Sequence, residues 1–302
     1  MSRVNSRRPP VLLAAAALAW ASFAVNPRAA LAQVGDIPTT QSEPPGSSSG
    51  VDIATKLPYW GAGDSRAFVA ASFDAGVIFY RTTLMAGYGK PHWSWVGAEG
   101  NAVISPDGGS FYGGIRGTLP EFEVRVGFRQ SFTISEFVLP PQDTYTVIDM
   151  DYENTVRSRY WAFEAETTGS IGVPGGRVYG AATLYAIFNE PEGYYLFEEV
   201  AKVIMAPPYL FRLRGGYIAQ PTWEGTMKVG VIGEVLGDPG RGIFHVRAGP
   251  ALSVALTHHL DVTGALFVTI SSPDSIGLRG ADLGSLSLRY KWATGDKWPE
   301  FP

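Results

Sequence analysis

Charge in this chain keeps to one side of a two-residue repeat. Eight windows (122–133, 160–171, 177–188, 209–219, 226–236, 243–256, 259–270 and 284–292) each have one parity dominated by apolar residues. In 122–133 that parity holds Phe122, Val124, Val126, Phe128 and Phe132; in 226–236 it holds Met227, Val229, Val231 and Val235. All fourteen Asp, Glu, Lys and Arg residues of the windows fall on the other parity: Glu123, Arg125, Arg129, Glu164, Glu166, Arg177, Arg212, Arg214, Lys228, Glu234, Arg247, Asp261, Arg289 and Lys291. Successive side chains of a strand point to opposite faces, so each window reads as a strand with one greasy and one charged face. Choosing a face for each of eight strands absorbs eight coincidences, and chance alone supplies the other six about once in 64.

Turn chemistry separates the windows: SPDGG (105–109), LPE (119–121), VPGG (173–176), GDPGRG (237–242) and SSPDS (271–275). Short strands divided by regular turn signals form an all-β fold, an antiparallel barrel or sandwich. Two connections are longer. Residues 135–155 are acidic and aromatic (DTYTVIDMDYEN), and 189–208 contain YYLFEEVAKVIM, where the spacing of Leu196, Val200, Val203 and Ile204 predicts a short amphipathic helix. Pro250, on the apolar face inside a strand, predicts a bulge or a different register.

Residues 1–32 read as a secretory signal peptide. Arg3, Arg7 and Arg8 precede an apolar stretch from Val11 to Val25, and Ala30-Leu31-Ala32 is a cleavage site of the A-x-A kind. The apolar run is short of the ~20 residues of a spanning helix. Pro9 and Pro10 after Ser6-Arg7-Arg8 favour the general secretory route over a twin-arginine one. Residues 33–65 are rich in Pro, Gly and Ser and predict a disordered tether, followed by the strands at 66–292 and a tail at 293–302. The signal holds four arginines and no acid, so the mature chain carries 20 basic and 28 acidic residues, a net charge of −8, which argues against nucleic acid as a partner. The absence of cysteine excludes disulfides, thiolate metal sites and a cysteine nucleophile.

Alternation alone does not say which face is inside. A soluble barrel hides its apolar face, whereas a membrane barrel turns that face to lipid. The windows match the ~9–11 residues of a tilted spanning strand. Tyr209 and Tyr217 share the apolar face of one window roughly 26 Å apart, the spacing of two aromatic girdles. The mature chain has 14 Arg against 6 Lys, as fixed ion-pair networks favour.

The last window, LSLRYKW at 286–292, resembles the terminal-strand signal of bacterial outer-membrane β-barrel proteins. It departs from that signal in one respect: ATGDKWPEFP follows, where those signals end the chain. The resemblance implies an antiparallel transmembrane β-barrel in the bacterial outer membrane, among lipid and lipopolysaccharide. Tyr290 and Trp292 would belong to a girdle and to the signal read by the barrel assembly machinery. It also implies periplasmic chain ends and extracellular long loops. With two strands between Arg66 and Gly89, the count is twelve.

The charged face then lines the lumen. Nine basic against five acidic residues in the windows predict a narrow channel for small solutes with a modest anion preference. Inward Gly127, Gly216, Gly230 and Gly249 are expected to leave it room. The competing reading is a non-conducting structural or binding barrel acting through its extracellular loops, and a lipid-modifying enzyme comes third. Glu164 and Glu166 read as ion-pair partners of Arg125 and Arg129 rather than as a catalytic carboxylate pair. His245, Ser253 and Asp261 all face inward, but the first two lie roughly 26 Å apart on one strand, too far for a triad. Asp149, Asp151 and Glu153 read as a solvated acidic loop rather than a Ca²⁺ site. No catalytic residue, metal or cofactor is expected.

Overall fold

A computed structural model describes residues 64–77, 79–90, 94–106, 108–133, 138–150, 159–190, 192–219, 227–257, 259–277 and 286–294. The predicted signal peptide, most of the tether and most of the tail lie outside these residues, as do Asp151 and Glu153.

The elements in chain order are β1 (Arg66–Gly76), β2 (Tyr80–Lys90), β3 (Ser94–Ser105), β4 (Gly108–Leu119), β5 (Phe122–Thr133), β6 (Val138–Leu139), β7 (Arg159–Val173), β8 (Gly176–Phe188), β9 (Tyr195–Glu198), β10 (Val203–Met205), β11 (Tyr209–Ala219), β12 (Met227–Asp238), β13 (Ile243–Ala255), β14 (Leu260–Ala265), β15 (Val268–Ser271) and β16 (Ser287–Ala293). Antiparallel neighbours run from β1 through β5 to β7, β8, β11, β12 and β13, on to β14 and β15, and then β16. β16 pairs back onto β1 from Ala70↔Ala293 to Gly76↔Ser287. With β14 and β15 counted as one interrupted strand, this is a closed barrel of twelve. Closure through β16 and β1 gives both of these strands a partner on each edge.

Pro250 explains the interruption. β13 pairs β14 up to Ala251↔Ala265 and resumes with β15 at Ala248↔Val268. Proline has no N–H to give the ladder, and Leu266 instead donates its N–H to the Pro250 carbonyl (3.0 Å). Gly249 lets the Leu266 carbonyl come in against the backbone where a Cβ would collide with it. A register shift follows at Val246/Arg247.

The apolar parity points out and the charged parity in. Ile115, Val231 and Ile270 are 66%, 64% and 65% exposed, whereas Glu234, Arg129 and Asp74 are 4%, 3% and 1% exposed. Exposed aromatics gather toward both ends of the wall. Tyr80, Phe111, Trp161, Phe188, Tyr209 and Phe244 lie toward one end, and Tyr88, Phe122, Tyr217, Tyr290 and Trp292 toward the other.

Residues 189–208 correct the helix expectation. They form the hairpin β9–β10, with Val203↔Glu198, Ile204↔Phe197 and Met205↔Leu196 paired, and β6 adds a third strand through Val138↔Leu196 and Leu139↔Tyr195. The spacing of Leu196, Val203 and Ile204 is apolar because both faces of this small sheet are covered, not because one helical face is.

Candidate functional site

The inward charges of the wall form a belt of ion pairs. Asp74 accepts from Arg81 (2.7 Å) and Arg289 (2.5 Å), which ties β1 to both neighbours at the closing seam. Arg116 bridges Glu99 (3.0 Å) and Glu123 (2.6 Å). Arg125 reaches Glu99 (3.5 Å) and Glu166 (3.4 Å), and Arg212 meets the same Glu166 at 3.4 Å. Arg129 pairs with Glu164; Glu234 lies between Arg214 (3.0 Å) and Arg247 (3.6 Å); Lys291 holds Asp261 (2.6 Å). Lys228 shares the inward parity of β12 opposite Ser253. His245 and Asp261 have separate partners, Ser272 and Lys291, so no triad is assembled.

Four belt members, Asp74, Arg81, Glu99 and Arg116, lie upstream of the eight windows. Their signal was present: they hold the parity opposite the exposed Val69, Phe73, Leu84, Tyr88 and Ile115. The glycines Gly127, Gly216, Gly230 and Gly249 correct another expectation. A Cβ on each would meet a neighbouring carbonyl oxygen, that of Gly113, Val231, Tyr217 and Leu266 respectively. The concave face of a closed sheet draws neighbouring residues together, so these glycines accommodate close backbone instead of widening a lumen.

At the end of the barrel carrying the long loops, the described loop residues pack into the wall. Inward Tyr160, Ala162, Tyr185, Ile187, Leu210 and Leu236 of the wall pack with Val138, Leu196, Ala201, Val203 and Met205 of the loops in one cluster, every member 3% exposed or less. The opposite face of the loop sheet is covered by a second cluster of Leu139, Tyr145, Met150, Phe197, Ile204 and Ile276. Two shells of apolar burial thus hold the loop sheet inside this mouth, and polar contacts fasten them. Glu198 accepts from Tyr160 Oη (2.9 Å), Arg129 (2.7 Å) and the N–H groups of Val200 (2.8 Å) and Ala201 (3.0 Å). Arg247 donates to the Ala201 carbonyl. Asp238 accepts the Ala206 N–H (2.8 Å).

A second fastening lies further out. Arg241 grips Asp274 with both terminal nitrogens (2.6 and 2.7 Å), donates to the Ile204 carbonyl (2.8 Å) and lies over the rings of Tyr145 and Tyr195. Burial alone would raise the Glu198 carboxyl, but Arg129 and the hydrogen bonds hold it below its ordinary value. Burial pushes the Tyr145 hydroxyl up to about 12. Asp149, in the acidic loop, accepts the Thr146 side chain and N–H (2.7 Å each), which lowers its carboxyl. Sequence reasoning missed Glu198, Arg241 and Asp274, whose partners come from distant loops and leave no periodic signal.

No known protein family matches this chain, and no characterised protein matches it by sequence. Solved structures resemble it in outline. The porin NanC shares 9% identity and a TM-score of 0.36 over 76% of this chain and 98% of its own. The translocator domain of the autotransporter NalP from Neisseria meningitidis shares 10% and 0.35 over 77% and 88%. A loop-deleted OmpT, an outer membrane protein of Vibrio cholerae, shares 8% and 0.32 over 76% and 98%.

Proposed function

We propose that this chain is an integral barrel of the bacterial outer membrane that its own loops hold closed at the outer mouth, and that it acts through the surface those loops present. The infolded sheet β6–β9–β10, buried against the inward wall, carries the reading. A membrane setting is supported by the wall itself: water would meet a continuous apolar belt far larger than a soluble monomer exposes, whereas acyl chains suit it. Export by the general secretory route and insertion by the barrel assembly machinery belong to this reading.

A second reading, the narrow channel with a modest anion preference, is favoured by an asymmetry in the belt. Side chains of Arg81, Arg289 and Arg214 keep 36%, 27% and 27% exposure, while their partners Asp74 and Glu234 keep 1% and 2%. Space left in the lumen is therefore lined by guanidinium groups, which favour anions. Planar-bilayer recording separates the two. The refolded parent is expected to pass no steady current, and a variant lacking residues 195–205 is expected to pass an anion-preferring one. A steady current from the parent would put the channel reading in place of closure, and cation preference in the deletion variant would overturn the assignment of the lumen.

A further inference from the structure

The outer mouth contains a cavity of about 250 Å³, lined among others by Lys202, His245, Arg247, Thr269, Ser272 and Asp274. It lies between the β9–β10 hairpin, the inward face of β13 and β15, and the segment following β15. The charges around it do not cancel. Asp274 is committed to Arg241 through two contacts, and Arg247 to Glu234 and the Ala201 carbonyl. Lys202, at the hairpin tip with a φ of +52°, has no ion-pair partner among the described residues, its ammonium lying 5.9 Å from the Phe197 ring centroid.

His245 supplies an independent sign of a missing ligand. It is 3% exposed, and its Nε2 has no hydrogen-bond partner. Its Nδ1 is 2.8 Å from Ser272 Oγ, an oxygen that already accepts the Asp274 N–H at 3.0 Å. With the Ser272 hydroxyl proton turned to Nδ1, the imidazole proton sits on Nε2, a buried donor with nothing to receive it. A buried polar group left in that state is costly unless something binds there.

We propose that this cavity binds a small anionic molecule of monosaccharide size, with Lys202 supplying the charge and His245 Nε2 donating a hydrogen bond. The volume falls below the ~300–1,000 Å³ of pockets for drug-sized ligands, and the Ser272 and Thr269 hydroxyls suit a hydroxylated acid. The site is independent of whether the barrel conducts, so a parent that passed current and still bound the probe would refute closure and leave this inference intact.

The test titrates the folded, detergent-solubilised chain with D-glucuronate, D-glucose and inorganic phosphate, following His245 by side-chain nitrogen NMR alongside calorimetry. Glucuronate is expected to bind and move the His245 resonance, with glucose at least tenfold weaker. Lys202→Asn, which tolerates the left-handed backbone, should weaken glucuronate tenfold or more, and Lys202→Arg should restore most of it. Phosphate binding as well as glucuronate would support a pocket that reads charge before shape. Glucose binding equally, an unmoved His245 resonance, or full affinity in Lys202→Asn with a correctly folded barrel would each overturn the proposal.

Discussion

Glu198→Ala is the sharpest probe of the proposed closure. It deletes the acceptor for Tyr160, Arg129 and two backbone N–H groups at once, in a side chain with no exposure. Breaking a buried ion pair from one side costs ~3–5 kcal/mol because a charge is stranded. Arg129 keeps Glu164, so the low end applies, about 3 kcal/mol. That cost falls on the loop sheet and not on the wall, whose ladders do not involve Glu198. At ~1.4 kcal/mol per tenfold, the fraction of molecules with the mouth open rises about a hundredfold. Single-molecule bilayer recording would register the change as openings absent from the parent, with heat-modifiable migration confirming an intact barrel. Glu199→Ala is the control: it loses one hydroxyl contact from Ser105 (2.6 Å) and should cost no more than ~1 kcal/mol. A folded Glu198→Ala barrel that stays as closed as the parent would refute the role given to this carboxylate.

Two further outcomes follow from the same geometry. Val231→Arg places a charge on the outward face of β12, and should cost about 2–4 kcal/mol in a denaturant titration from bilayers; unchanged stability would mean the apolar face is not in lipid. Acid should loosen the mouth: the Glu198 carboxyl is held below its ordinary value of 4.5, so its contribution is complete above that pH and is lost as pH falls through the lower folded value. Openings in the parent confined to strongly acidic solution, and absent at neutral pH, are the expected record; openings that increase toward neutral pH would reverse the sign.

The wall was legible because two media of opposite character meet across each strand. In the proposed membrane setting lipid excludes charge from one parity, and the enclosed face gathers it, so Glu164 and Arg129, or Asp261 and Lys291, fall on the same side long before their pairing is known. The break at Pro250 was legible for a local reason, the missing N–H, although the sequence did not say that the partner strand would divide into β14 and β15 there. The upstream charges Asp74, Glu99 and Arg116 were harder. Their strands are rich in Ala and Gly, as in AFVAASFDAG and GGSFYGG, so the apolar face is drawn by few large residues.

The loop sheet obeys a different rule. Leu196, Phe197, Val203, Ile204 and Met205 are buried on alternate faces, one set against the wall and the other beneath the outer loops. With neither face in water, a strand loses its two-residue period and reads as a short apolar run, which periodicity does not separate from a buried helix. What decides between them is the edge supplied by β6 and the fit of the hairpin inside the mouth, both set by residues far away in the chain. Arg129 makes the same point from the wall. Its parity places it inside, and pairing with Glu164 accounts for it on the β5–β7 ladder, yet its second carboxylate comes from a loop. A side chain that satisfies the wall pattern can therefore also hold the loop sheet against the wall, and only the three-dimensional contact distinguishes it from a neighbour such as Arg125, whose carboxylates belong to wall strands.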